Sequence, residues 1–222
     1  MKKILLTLFA LAIAYGAQAQ NSLGINLKAY SPKAQFNRNV DNVPVGLSFT
    51  YLRSYNDSRF SWGGEFGVAM YSNDSYDIEW RGAPLRIEEE DCFFTLHAFV
   101  RYDLVETQSF RLYSEGRVGV TTFFSTTMAE DEYSDFEGEF DFHGTAFNLG
   151  AGAGVMVNPK ALFSKDKERG NLWIDLAVNA HSGSNARYRM MPEGDGMHTF
   201  EDGQFESLTH YIGYRVGFVF GL

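Results

Sequence analysis

Alternation with a period of two, repeated in eight separate stretches, limits this chain more than any other feature. From 208 to 222 every even position except His210 is apolar: Leu208, Ile212, Tyr214, Val216, Phe218, Phe220 and Leu222. The odd positions are Thr209, Tyr211, Gly213, Arg215, Gly217, Val219 and Gly221. Such a period belongs to a strand with two unlike faces, because successive side chains point to opposite sides. The same pattern occurs at 23–30, 43–53, 60–71, 92–104, 110–120, 147–157 and 172–180. The third stretch shows it most cleanly, with Phe60, Trp62, Phe66, Val68 and Met70 set against Ser61, Gly63, Glu65, Gly67 and Ala69. The expectation is an all-β chain of eight strands.

The N-terminus carries Lys2 and Lys3, an apolar run at 5–14, and Ala17-Gln18-Ala19. A basic start, a short apolar core and a small-x-small site predict a cleaved signal peptide over 1–19. The exported domain is then 20–222. Cleavage removes two lysines and no acids, so the net charge of −9 falls to −11. That balance excludes nucleic acid as a partner class. Cys92, the single cysteine, has no internal disulfide partner. No later segment has the roughly 20 apolar residues of a transmembrane helix. A membrane crossing would therefore require a closed barrel.

The connections alternate in length. Those at 54–59 and 105–109 are short; those at 31–42, 72–91, 123–144 and 182–204 are long, and 158–170 is a 13-residue connection on the short side. Short turns at one rim and long loops at the other suit an up-and-down membrane barrel.

Alternation also suits a soluble, lipocalin-like periplasmic carrier, with its apolar face inside. Three features favour the membrane. Aromatics gather at strand ends on the short-turn rim: Tyr51, Phe60, Trp62, Tyr102, Phe110, Phe218 and Phe220. The opposite face is rich in glycine. Its charges, counted by parity, balance: Lys28, Arg101, Arg117 and Arg215 against Glu65, Asp103, Glu115 and Asp175. Buried charges must be paired, and an eight-stranded barrel is just wide enough for side chains to fill. The expectation is a plugged lumen, with Tyr113, Asn148 and Asn179 joining the network and His97 hydrogen-bonded inside.

The closing strand, ending on Phe218, Phe220 and Leu222, resembles the last strand of outer-membrane barrels. With the eight segments and the loop asymmetry, the chain resembles the small barrels of the OmpA transmembrane domain and OmpX type. The resemblance covers almost all of 20–222. It implies an eight-stranded antiparallel up-and-down transmembrane β-barrel in the outer membrane, touching membrane lipid and lipopolysaccharide. It implies a non-enzymatic role, as structural protein, adhesin or complex subunit, with no cofactor or metal.

The acidic stretch Glu130, Asp131, Glu132, Asp135, Glu137, Glu139 and Asp141, with Phe136 and Phe140 between, is the candidate outer-loop interaction surface. It could continue strands five and six as a protruding ribbon, as in OmpX, or be a solvated loop. The 158–170 connection carries Lys160, Lys165, Lys167 and Arg169 with Leu162 and Phe163. Either a protein partner docks there or the loop lies on anionic headgroups. The segment His181-Ser182-Gly183-Ser184-Asn185 is similar to the His-x-Ser-Asn segment of outer-membrane lipid A deacylases. Here, however, His181 and Ser184 are three apart, which puts them on opposite strand faces.

Overall fold

A computed structural model describes residues 19–40, 42–55, 58–80, 83–131, 137–163, 171–189 and 204–222. Eight strands close into a barrel: β1 (Ala19–Lys33), β2 (Val45–Tyr55), β3 (Phe60–Trp80), β4 (Ala83–Glu106), β5 (Phe110–Asp131), β6 (Glu137–Val157), β7 (Leu172–Gly183) and β10 (His210–Gly221). Each pairs antiparallel with its neighbour in sequence, and β1 closes on β10. Two short strands, β8 (Asn185–Arg189) and β9 (Gln204–Leu208), form a separate hairpin. Helix α1 (Ala34–Asn39) follows β1, and α2 (Pro159–Phe163) follows β6.

The register gives the barrel its pitch. From Tyr30 the pairs run Gly213, Asn179, Gly152, Glu115, Arg101, Ser61, Ser54 and back to β1 at Gln20, ten residues lower. Eight strands with that stagger tilt by about 40°. The ten steps from Phe60 to Met70 on β3, at ~3.3 Å each and so tilted, rise about 25 Å, the height of a membrane barrel's apolar band.

The alternation expected for all eight strands is present, and it runs inside out. Leu27 and Val45 on the outer wall are 66% and 60% exposed, whereas Lys28, Glu65, Arg117 and Arg215 inside are almost wholly buried. Tyr51, Phe60, Trp62, Phe110, Phe218 and Phe220 are all exposed on the outer wall near the rim that carries both ends of the barrel. Among the described residues no helix is long and apolar enough to cross a membrane.

One expected long loop is largely strand, and of the two readings for the connection between the fifth and sixth strands the ribbon holds. Residues 72–80 and 83–91 continue β3 and β4, paired from Ser72–Asp91 out to Trp80–Ala83, after a bulge between Met70 and Ser72. Residues 123–131 and 137–144 likewise continue β5 and β6 out to the pair Glu130–Glu137. Alternation continues in part of these extensions, with Tyr76, Ile78 and Trp80 set against Asp77 and Glu79, and Ile87 and Phe123 are buried. The connection after β7 holds the β8–β9 hairpin, and residues 190–203 lie outside the described residues.

Inward glycines are set by space. Gly46 pairs with Lys28, Gly119 with His97, and Gly152 with Asn179. A Cβ at Gly46 would collide with the carbonyl oxygen of Val68 and the Cα of Ala69. Gly116 faces outward, and a Cβ there would meet nothing within 4 Å. Gly46→Ala is therefore expected to destabilise the barrel by at least about 2 kcal/mol through overpacking, and Gly116→Ala to stay within about 0.5 kcal/mol. Urea unfolding of the refolded protein in detergent measures both; equal effects would contradict this assignment of the two faces.

Candidate functional site: the filled barrel interior

Inward positions on different strands place the charges in one layer. Glu65 of β3 accepts from Lys28 Nζ of β1 at 2.6 Å, from Arg117 Nη1 and Nη2 of β5 at 2.9 and 3.0 Å, and from Arg215 Nη1 of β10 at 3.1 Å. Glu115 accepts from Arg117 Nε at 2.9 Å, Arg101 Nη2 at 3.1 Å and Arg215 Nη2 at 3.4 Å. Asp175 of β7 lies 3.1 Å from Arg215 Nη2 and 3.7 Å from Arg101 Nη2, and accepts from the Tyr113 hydroxyl at 2.5 Å. Arg215 Nη2 also donates to the Tyr113 oxygen at 2.9 Å. The Arg101 guanidinium stacks 3.7 Å from the Tyr113 ring centre, a cation–π contact.

Seven of the eight charges expected by parity thus meet in one cluster, with Tyr113. Asp103 stands apart. It faces Arg111 at 3.9 Å, and Arg111 reaches Glu106 at 2.7 Å near the rim. The four-to-four balance is therefore not a single network: the central layer holds four cations and three carboxylates. Arg111 was missed, although its odd position on β5 is the same as that of Tyr113, Glu115 and Arg117. Its guanidinium also lies 5.0 Å from the Trp173 ring.

Asn148 and Asn179 do not join the ions. Asn148 Nδ2 donates to Thr121 Oγ1 at 2.7 Å, and the Oδ1 atoms of both residues have no hydrogen-bond partner among the described residues. These oxygens rest against cross-strand glycines, Gly183 and Gly152, where a Cβ would otherwise sit. His97 is buried, yet neither ring nitrogen has a partner among the described residues; its ring packs 5.0 Å from that of His181 instead. The expected hydrogen bond fails because one ladder partner, Gly119, offers no side chain, and the carboxylate of the other, Glu65, is taken by Lys28, Arg117 and Arg215.

Beyond the ions and this histidine–asparagine layer, aromatics close the far end. On β4 the inward order is Arg101, Phe99, His97, Thr95, Phe93, and on β10 it is Arg215, Gly213, Tyr211. Tyr30 lies 4.9 Å from Phe93 and 5.4 Å from Tyr211, edge-on in both cases. Phe36 of α1 is buried against Phe123 at 5.7 Å, so the helix inserts a ring into the barrel mouth. At the other end Tyr113, Met156, Trp173, Ala177 and Val219 form a second apolar cluster. This aromatic cap was not expected, because parity arguments followed charge and overlooked rings on the same face.

His181 is buried inside, whereas Ser184 is exposed, its Oγ accepting from Phe147 N at 3.0 Å. The two do not form a nucleophile–base pair. Of the acidic candidates, Glu130 and Asp131 end β5, and Glu137, Glu139, Phe140 and Asp141 begin β6. Their side chains, and all of Glu132, Asp135 and Phe136, lie outside the described residues. In α2, Ala161 is buried, and Lys160, Leu162 and Phe163 are exposed. Lys165, Lys167 and Arg169 lie outside the described residues. Among the described residues no cluster of His, Cys, Asp and Glu could hold a metal ion.

No protein-family model matches this chain, and no curated protein matches it. Among solved structures it is similar to Ail, the attachment invasion locus protein of Yersinia pestis, in complex with sucrose octasulfate. The two share 15% identity over 92% of this chain and 97% of that one, with a TM-score of 0.45. Neisserial surface protein A gives 10% identity, 91% and 95% coverage and a TM-score of 0.45. A major outer membrane protein from Thermus thermophilus gives 14%, 92% and 99%, with 0.48. The eight-stranded barrel stands on its own register rather than on these likenesses.

Removing one partner from a buried ion cluster leaves the others uncompensated, at roughly 3–5 kcal/mol. Glu65→Gln is expected to lose about that much, and Glu206→Gln, which breaks the exposed Arg187–Glu206 pair of the β8–β9 hairpin, less than about 1 kcal/mol. The midpoints of detergent-phase unfolding test this ordering, and the reverse order would contradict it.

Proposed function

We propose that residues 20–222 form an outer-membrane β-barrel with a plugged polar lumen, exported through a cleaved signal peptide over 1–19, with a structural or interaction role and not a catalytic one. The observation that carries this reading is the inversion of polarity: ion pairs bury their charges inside while large apolar side chains cover the outer wall. A water-soluble carrier would need the opposite arrangement. Ions, rings and apolar residues fill successive layers of the interior, which supports a plug over a diffusion pore.

The interaction role is supported by the far rim. There β3 to β6 rise as a four-stranded sheet beyond the other strands. Among the described residues, β3 pairs only with β4 from Ser72 to Trp80 and β6 only with β5 from Glu137 to His143; from Gly144 on, Arg187 of β8 packs against β6, and Ser184 N donates to the Phe147 carbonyl. Edges of this kind accept a strand from another chain, which suits adhesion or membership of a membrane complex. Lipopolysaccharide at the outer surface and a partner at the 158–170 connection are the further contacts this reading assigns. The separation of His181 and Ser184 gives no support to a lipid A-modifying enzyme.

The purified chain is expected to migrate faster on gels unheated than boiled, to require detergent for solubility, and to show no stable large conductance in planar bilayers. A stable large conductance would overturn the plug. A chain that stays soluble and monomeric without detergent would overturn the membrane reading.

A further inference from the structure

One outward glycine stands apart from the rest of its strand. Along the outer face of β3, Phe60, Trp62, Phe66, Val68 and Met70 all project large side chains, and Gly64 interrupts them. Nothing in the protein requires this gap: a Cβ at Gly64 would meet no atom nearer than 3.8 Å. A glycine in a strand interior weakens the strand and often marks a place where another molecule approaches closely. The side chain best placed to cover it is Tyr51, its cross-strand partner. The Tyr51 hydroxyl instead donates to Asn21 Oδ1 on β1 at 2.9 Å, which draws the ring toward β1 and away from Gly64.

The result is an open groove on the outer wall of about 570 Å³, lined almost wholly by carbon. It runs from Leu222, Phe220 and Leu23 at the rim bearing the barrel's ends, past Gly64, to Phe66 and Leu96 near mid-wall. We propose that this groove holds one acyl chain of a phospholipid of the periplasm-facing leaflet. The inference rests on the membrane reading above, which puts this rim at the periplasm. The groove is continuous with the lipid-facing wall, opens at the rim where headgroups of that leaflet would lie, and is one side chain deep at Gly64. Asn21 and the Tyr51 hydroxyl, at its mouth, are the polar groups available to a headgroup.

The test uses the full chain purified in mild detergent, stripped of lipid and re-exposed to phosphatidylethanolamine before native mass spectrometry. Wild type is expected to retain one lipid under conditions that remove the rest. Gly64→Leu, which fills the groove, should lower that singly lipidated species about tenfold. Gly116→Leu, at an outward glycine of β5 that has open space around it and lies outside the groove, should leave it unchanged. Gly64→Ala, which adds only the Cβ that has room, should give an intermediate loss. Equal lipid retention in wild type and Gly64→Leu overturns the proposal. So does a two-chain species in wild type that Gly64→Leu abolishes, which would make a second copy the occupant. The heat-shifted gel band reports the barrel separately. If it persists in every variant while lipid retention does not change, the groove assignment fails and the membrane reading stands.

Discussion

Glu65 ties the barrel together from within. It projects from β3 and takes hydrogen bonds from Lys28 on β1, Arg117 on β5 and Arg215 on β10, so one carboxylate links four strands across the lumen. Burying four cations is costly unless every one finds a carboxylate at hydrogen-bond distance. That requirement is exacting. A slip of one residue in any of these strands would turn its charge to the outer wall and strand its partners inside. The ion layer therefore does more than fill space: it penalises every wrong register at once.

Close packing around that layer accounts for the composition of the inner face. Long and ring side chains alternate across the ladders with glycine: Lys28 with Gly46, His97 with Gly119, Asn148 with Gly183. Each of these side chains takes the volume its glycine leaves, alongside inward pairs that are large on both strands, such as Lys28–Arg215, Arg101–Glu115 and Phe93–Phe123. The aromatic cap extends this packing at one end, where Phe36 enters from α1 rather than from a strand. The outer wall follows a different rule, because solvent there is not protein, and side-chain volume is free to vary. That freedom is why Gly116 and Gly64 can exist outside without the crowding seen inside.

Much of this was legible in the residues themselves. The eight strands, their antiparallel order and their inner and outer faces follow from period two, since side chains on a strand have nowhere else to point. Parity alone assigned Lys28, Glu65, Arg101, Glu115, Arg117, Asp175 and Arg215 to one interior, and it contained Arg111 as well, although balance of charge distracted from it. What parity cannot supply is height. It ranks residues along one strand but does not relate strands to one another.

Only the closed structure, with its stagger of ten residues, decided which inward groups share a level. It separated Asp103 from the ions and paired it with Arg111. It placed Asn148 and Asn179 against glycines, left the His97 nitrogens without partners among the described residues, and gathered the rings edge-on at the far rim. It also turned the expected loop residues 72–80 and 83–91 into paired ribbon, and between the ribbon and the solvated loop open for strands five and six it decided for the ribbon over 123–131 and 137–144. Local sequence determines which way each side chain points; the register of all eight strands, a long-range property, determines what it meets.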